Sequence, residues 1–346
     1  MNDAEPAATV LTSIPVTIAF LVMALLAALF FLGMLTLKKG WWTQTCFPCE
    51  PRRQVPWNLL DVLAVFVFYF MLGTAALQTL APYIPSVFPV SVVGEDKKTA
   101  IASEESDNLS KELDNPKEPK EESRKLEKAH PLTVLMTEGK RQPMILVICF
   151  LMAVVAAPLG EEFLFRVILQ GAFESLENST RRVVLLLRRM PRGFFSVFIT
   201  ALVFAAIHWR EPKSEGSWNL NLLLTGMIAQ TIANFGIVLF GVGYLTFFRG
   251  ATWADFGFHN GFRNLRSAQD VLGAFYVYLI LMIPMMMIQG TLGTLFPDTV
   301  TDPAPLLVFS LALGILYYRT RRLLTCLTLH MSMNAVSFFL MLLWYS

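Results

Sequence analysis

Two adjacent carboxylates, Glu161 and Glu162, stand with Arg166 inside the apolar run Ala157-Pro158-Leu159-Gly160-Glu161-Glu162-Phe163-Leu164-Phe165-Arg166. Ionisable side chains in a membrane cost a few kcal/mol or more and usually face a bundle interior or a water-filled cavity, where they mark function. Glu162 and Arg166 are four apart, so on a helix they share a face and pair. Glu161 points about 100° away and is left without that partner. An unpaired carboxylate in a poorly solvated site suits a general base. A second element, Phe204-Ala205-Ala206-Ile207-His208, ends another apolar run, and a third, Leu329-His330-Met331-Ser332-Met333-Asn334, puts an imidazole and an amide on one helix face. Together that imidazole and amide could bind a water or polarise a carbonyl. The chain has only four histidines and two of them fall in apolar runs. A single intramembrane histidine is equally well explained as a hydrogen-bonded core residue. Two glutamates, an arginine, two histidines and an asparagine on three helices read as a site.

The elements that must position these residues are membrane helices. Of 346 residues 55% are hydrophobic and 16% charged, with a mean hydropathy of +0.53; a soluble domain carries about 25% charged residues. Apolar blocks of the roughly 20 residues needed to cross a bilayer fall at about 14–37, 57–80, 143–175, 194–209, 219–248, 271–296, 305–318 and 323–345. The fold class is therefore an all-α, polytopic transmembrane helical bundle of about eight spans. Pro158 with Gly160 is expected to kink the third block or divide it into two helices. Arginines and lysines cluster in every second loop: Lys38 to Arg53, Arg181 to Arg192, Arg249 to Arg266, and Arg319 to Arg322. By the positive-inside rule those loops are cytoplasmic and both termini lie outside. The first block reads as a retained anchor.

Residues 91–130 are rich in charge, Ser and Pro and poor in branched apolar and aromatic residues, as expected of a disordered linker. It separates a two-span region, 1–90, from a core at 131–346. The net charge of +2 argues against nucleic acid as a partner. Cys149 and Cys326 read as small apolar residues, and the lone Cys46-x-x-Cys49 is weak evidence for metal or redox chemistry.

In order and in spacing within each motif, Glu161-Glu162-x-x-x-Arg166, Phe204-x-x-x-His208 and His330-x-x-x-Asn334 resemble the three signatures of the CPBP family, which includes CAAX prenyl proteases of the Ras-converting type and abortive-infection proteins. The resemblance covers roughly 130–345, less an insertion at about 215–300. It implies an intramembrane endopeptidase acting on CAAX-type or other membrane-associated peptides, with the lipid bilayer and a peptide or protein as partners and a bacterial inner membrane as the expected location. Carried over by position, Glu161 is the base that activates water and His208 orients that water. Glu162 and Arg166 form a structural and electrostatic pair, and His330 and Asn334 donate to the oxyanion. The family is often described as metallopeptidases. This chain has no HExxH motif, yet Glu161, His208 and His330 could provide three zinc ligands with an open fourth position; metal-free water activation is the preferred reading.

His208 and His330 lie 122 positions apart, farther than in relatives. The intervening Ala251-Thr252-Trp253-Ala254-Asp255-Phe256-Gly257-Phe258 resembles a segment that in relatives precedes the glutamate motif. The competing functions are a catalytically inert membrane scaffold or a bacteriocin-immunity protein, and a proton-coupled transporter. Transport is disfavoured because paired half-helix repeats are absent.

Overall fold

The computed structural model describes residues 54–84, 135, 143–181, 184, 189–208, 220–258, 265–295 and 303–345. The first apolar block, the Cys46-x-x-Cys49 pair and the 91–130 linker lie outside the described residues. The main helices are α1 (Leu59–Leu80), α2 (Pro143–Thr180), α3 (Phe194–Ile207), α4 (Leu220–Arg249), α5 (Leu265–Leu295), α6 (Pro303–Thr320) and α7 (Leu323–Tyr345), with no strand among the described residues. They fall where the apolar blocks predict. Five of them, α1, α2, α4, α5 and α7, are long and apolar enough to cross a membrane, while α3 and α6 are shorter apolar helices. The expected count of about eight crossings is therefore not established.

Apolar residues point outward as well as inward. Leu60, Phe70, Leu239 and Phe247 are exposed, as a helix that is hydrophobic all round requires in a lipid solvent. The inward core joins Phe163, Phe165 and Ile168 of α2 to Phe204 of α3, Ile237 of α4, Phe309 and Leu313 of α6, and Leu329 of α7. α2 sits centrally, packed against α3, α4, α6 and α7; α1 lies along α4, and α5 along α7.

Pro158 does not divide α2, which runs unbroken from Pro143 to Thr180. Its hydrogen bonding instead widens to i→i+5 turns over Leu151–Ala156 and again over Phe163–Gln170, on either side of an α-helical Ala157–Glu162. Such π-type turns absorb irregularities inside a helix. In the first of them Ala157 N–H bonds Met152 O. The next donor in that register would be Pro158, which has no N–H to give to Ala153 O. The side chain of Asn334 supplies it, donating from Nδ2 to Ala153 O at 2.8 Å. The second wide stretch has all eight residues buried, and Trp57 Nε1 donates into it at Ile168 O, 3.1 Å away.

One end of the bundle is an ionic layer. Asn58 caps α1, and Asp61 returns the bond to Asn58 N at 2.8 Å. The other oxygen of Asp61 accepts from Arg249 at 2.8 Å and Tyr244 at 3.0 Å. Arg322 grips Asp270 through both oxygens at 2.8 and 2.9 Å, Arg321 pairs with Glu174, and Arg181 with Glu177 at 3.2 Å. Glu177 also accepts from the backbone N–H of Gly193 and Ser196. These pairs bring the starts of α1, α3, α5 and α7 together with the ends of α2, α4 and α6, so successive helices alternate in direction. The arginines that read as topological signals are also clamps between helix ends.

Candidate active site

Halfway along α2, Glu161 and Glu162 turn to different neighbours. Glu162 is fully buried and bonds Arg166 Nε at 3.2 Å. Arg166 continues to Ser310 Oγ of α6 at 2.8 Å, and its guanidinium lies 5.4 Å from the centre of the Phe204 ring. The second oxygen of Glu162 binds Nδ1 of His330 at 2.8 Å. Sequence spacing anticipates the Glu162–Arg166 pair and misses this bond from α7. A carboxylate on Nδ1 fixes the ring orientation of an imidazole and leaves Nε2 facing the site.

His208 is oriented by its own helix. α3 ends there, and its last turn leaves the carbonyl of Phe204 free to accept from Nδ1 at 2.7 Å. A carbonyl only accepts, so the proton sits on Nδ1 and Nε2 is left as the acceptor. The Phe204 ring lies tilted against this ring at 4.4 Å, while Phe309 meets the His330 ring edge-on at 5.3 Å. Both Nε2 atoms end 3.8 Å from Glu161 Oε2. That exceeds a direct hydrogen bond, so the three groups face one point without pairing with one another. Glu161 and His208 are 22% and 26% exposed, whereas Glu162 is closed off completely. Glu161 and His208 thus form the open side of the cluster, and Glu162 and Arg166 its dry side.

Of the six residues singled out from sequence, Glu161, Glu162, Arg166, His208 and His330 form one connected cluster. Asn334 shares a helix face with His330, but one of its two amide protons is engaged at Ala153 O, about two turns before Glu161. Among the described residues no group of three or more His, Cys, Asp or Glu side chains is arranged to hold a metal ion. The arrangement therefore does not support a zinc cage of Glu161, His208 and His330, nor a metallopeptidase-like reading.

Residues 143–336, more than half of the chain, match the family model for the Rce1-like type II CAAX prenyl endopeptidases. The chain belongs to that family. No curated protein and no solved structure matches it. An Rce1-like peptide hydrolase with membrane-spanning helices is an integral, multi-pass membrane protein, and the three motifs that carry the sequence resemblance all fall within the matched range.

A further polar group in this Rce1-like chain escaped the sequence reading. Gln230 donates to the hydroxyl of Tyr69, which donates to Asn234 Oδ1 at 3.1 Å. Asn234 is 1% exposed and lies directly on Gly160, where an added Cβ would come within 2.5 Å of its Oδ1. Tyr69 is within electrostatic reach of Glu161. Thus α1 and α4, neither of which carries a motif, pack beside the turn that carries Glu161. The signal was present, because Gln230 and Asn234 are polar residues four apart in an apolar helix.

Proposed function

We propose that the chain is an intramembrane endopeptidase that cleaves CAAX-type or other membrane-associated peptides with a water activated by Glu161. The observation that carries this reading is the convergence of Nε2 of His208 and Nε2 of His330 on one oxygen of Glu161, each at 3.8 Å. A water resting against these three groups donates one proton towards Glu161 and is steered by His208. Glu161 takes the proton as the water oxygen bonds to the scissile carbonyl carbon. His330, as imidazolium, donates from Nε2 to the resulting oxyanion, and the Glu162 carboxylate on its Nδ1 supports that charge as a buried acid supports a catalytic histidine. The remaining amide proton of Asn334 is a second donor. Collapse of the tetrahedral intermediate breaks the C–N bond, and Glu161 returns its proton to the leaving amine.

Glu162 and Arg166 are positioning residues in this scheme, because neither is open to substrate. Glu161 lies 13 residues before Glu174 of the ionic layer, about 20 Å along the helix, within the apolar length of α2.

Purified protein in bilayer nanodiscs, incubated with prenylated and unprenylated CAAX peptides and followed by mass spectrometry, tests the proposal. Glu161→Gln should lower kcat by at least about 10²- to 10⁴-fold while leaving insertion and the melting temperature intact. Undiminished cleavage by that variant would remove Glu161 as the base, and a native chain that cleaves none of the peptides would return to the inert-scaffold reading.

A further inference from the structure

The two halves of the bundle are packed differently, and the difference bears on how a substrate reaches Glu161. Between the site and the arginine-bearing end, every residue of α2 from Glu162 to Ala172 is buried. About three successive turns point side chains in every direction round the helix axis, so α2 is enclosed there on all sides. Phe165, Phe204, Phe309, Leu313 and Leu329, each no more than 2% exposed, pack that stretch to α3, α6 and α7. The dry chain of Glu162, Arg166 and Ser310 lies in the same plug.

Beyond the site the packing loosens. No residue of α7 from Met331 to Ser337 is buried, although about two turns of helix also point in every direction. Lipid on an outer face accounts for exposure on one side of a helix; exposure all the way round requires that the inward side be open as well. Within that stretch Ser332, Asn334 and Ser337 are polar, which suits a wall wetted by water better than one packed against lipid. On α2, Ala153 and Ala157, eight and four positions before Glu161, are half-buried. Helix α3 ends where the site begins: its last residue, Ile207, is 57% exposed, and the side chain of His208, which caps it, is 26% exposed.

The arginine clusters at 181–192, 249–266 and 319–322 follow α2, α4 and α6, and loops of that kind are retained in the cytoplasm. We propose that the site is served from the non-cytoplasmic side, and that its substrate is a peptide segment presented at that face of the membrane. The segment enters over the end of α3 and lies between the first half of α2 and the second half of α7. A prenylated tail offered from the cytoplasm meets the plugged half instead. This inference rests on the peptidase reading and narrows its substrate class.

Sealed vesicles of both orientations, prepared from cells expressing the full chain, test the inference with a charged, impermeant peptide that the purified protein cleaves. Right-side-out vesicles should cut it at a rate that detergent raises less than about twofold, and inverted vesicles at least about tenfold more slowly until detergent opens them, because a charged peptide does not cross the bilayer unaided. Vesicles carrying Glu161→Gln subtract cleavage by peptidases of the host. Cleavage by the inverted vesicles alone, or equal cleavage by both before detergent, overturns the inference and leaves the peptidase reading standing, since the purified protein cuts the same peptide. A purified native chain that cuts no peptide removes both.

Discussion

Asn334 illustrates how one side chain can serve two demands. Pro158 leaves Ala153 O without a donor and Asn334 fills the vacancy at 2.8 Å, so its amide is structural whatever else it does. Asn334→Ala should lower stability by about 0.6–2 kcal/mol, the range for hydrogen bonds between membrane helices. Pro158→Ala restores a backbone N–H, and in that background the loss should shrink towards zero in a detergent unfolding series. If the second amide proton stabilises the oxyanion, kcat of the double variant should remain about 10²- to 10³-fold low although its stability has returned. A melting curve and a rate on the same four proteins separate the two roles.

Helices α2 and α4 meet through Gly160 and Asn234 with no room for a methyl group. Gly160→Ala should push α4 away from the turn that carries Glu161 and lower kcat, and Asn234→Gly should relieve part of the clash. Recovery of rate in the double variant, measured in nanodiscs, checks that contact. A second close approach needs glycine for both shape and space: Gly257 has φ 83°, and a Cβ there would lie 2.8 Å from Leu323 N. The Ala251–Phe258 segment is thereby seated against the start of α7, the helix that bears His330, and its Phe256 stacks on Trp57 at 5.9 Å. At the ionic layer, Arg322→Gln removes the arginine that holds both oxygens of the largely buried Asp270. Breaking one side of a buried pair costs about 3–5 kcal/mol, so denaturation should show a large loss of stability. Motif spacing carries no trace of these contacts, because each joins residues from different helices.

For the whole molecule, the ionic layer and the alternating helix directions place the ends of α2, α4 and α6 at one end of the bundle. Single cysteines introduced at Arg189 and at the exposed Tyr83 should therefore react with an impermeant thiol reagent from opposite sides, the first from the cytoplasm. Labelling of both from the same side contradicts this arrangement.

Hydrophobic block length and the spacing of Glu161, Glu162, Arg166, His208, His330 and Asn334 were enough to read a helical membrane protein, its helix positions to within a few residues, and its peptidase family. They suffice because the bilayer demands long apolar helices, and because spacing on a helix dictates which side chains share a face. The bond from Glu162 to His330, the engagement of Asn334 by the gap at Pro158, and the group formed by Tyr69, Gln230 and Asn234 came only from tertiary structure. Each depends on how two helices are rotated against one another, and that rotation is set by packing at residues such as Gly160 rather than by any pattern along a single helix.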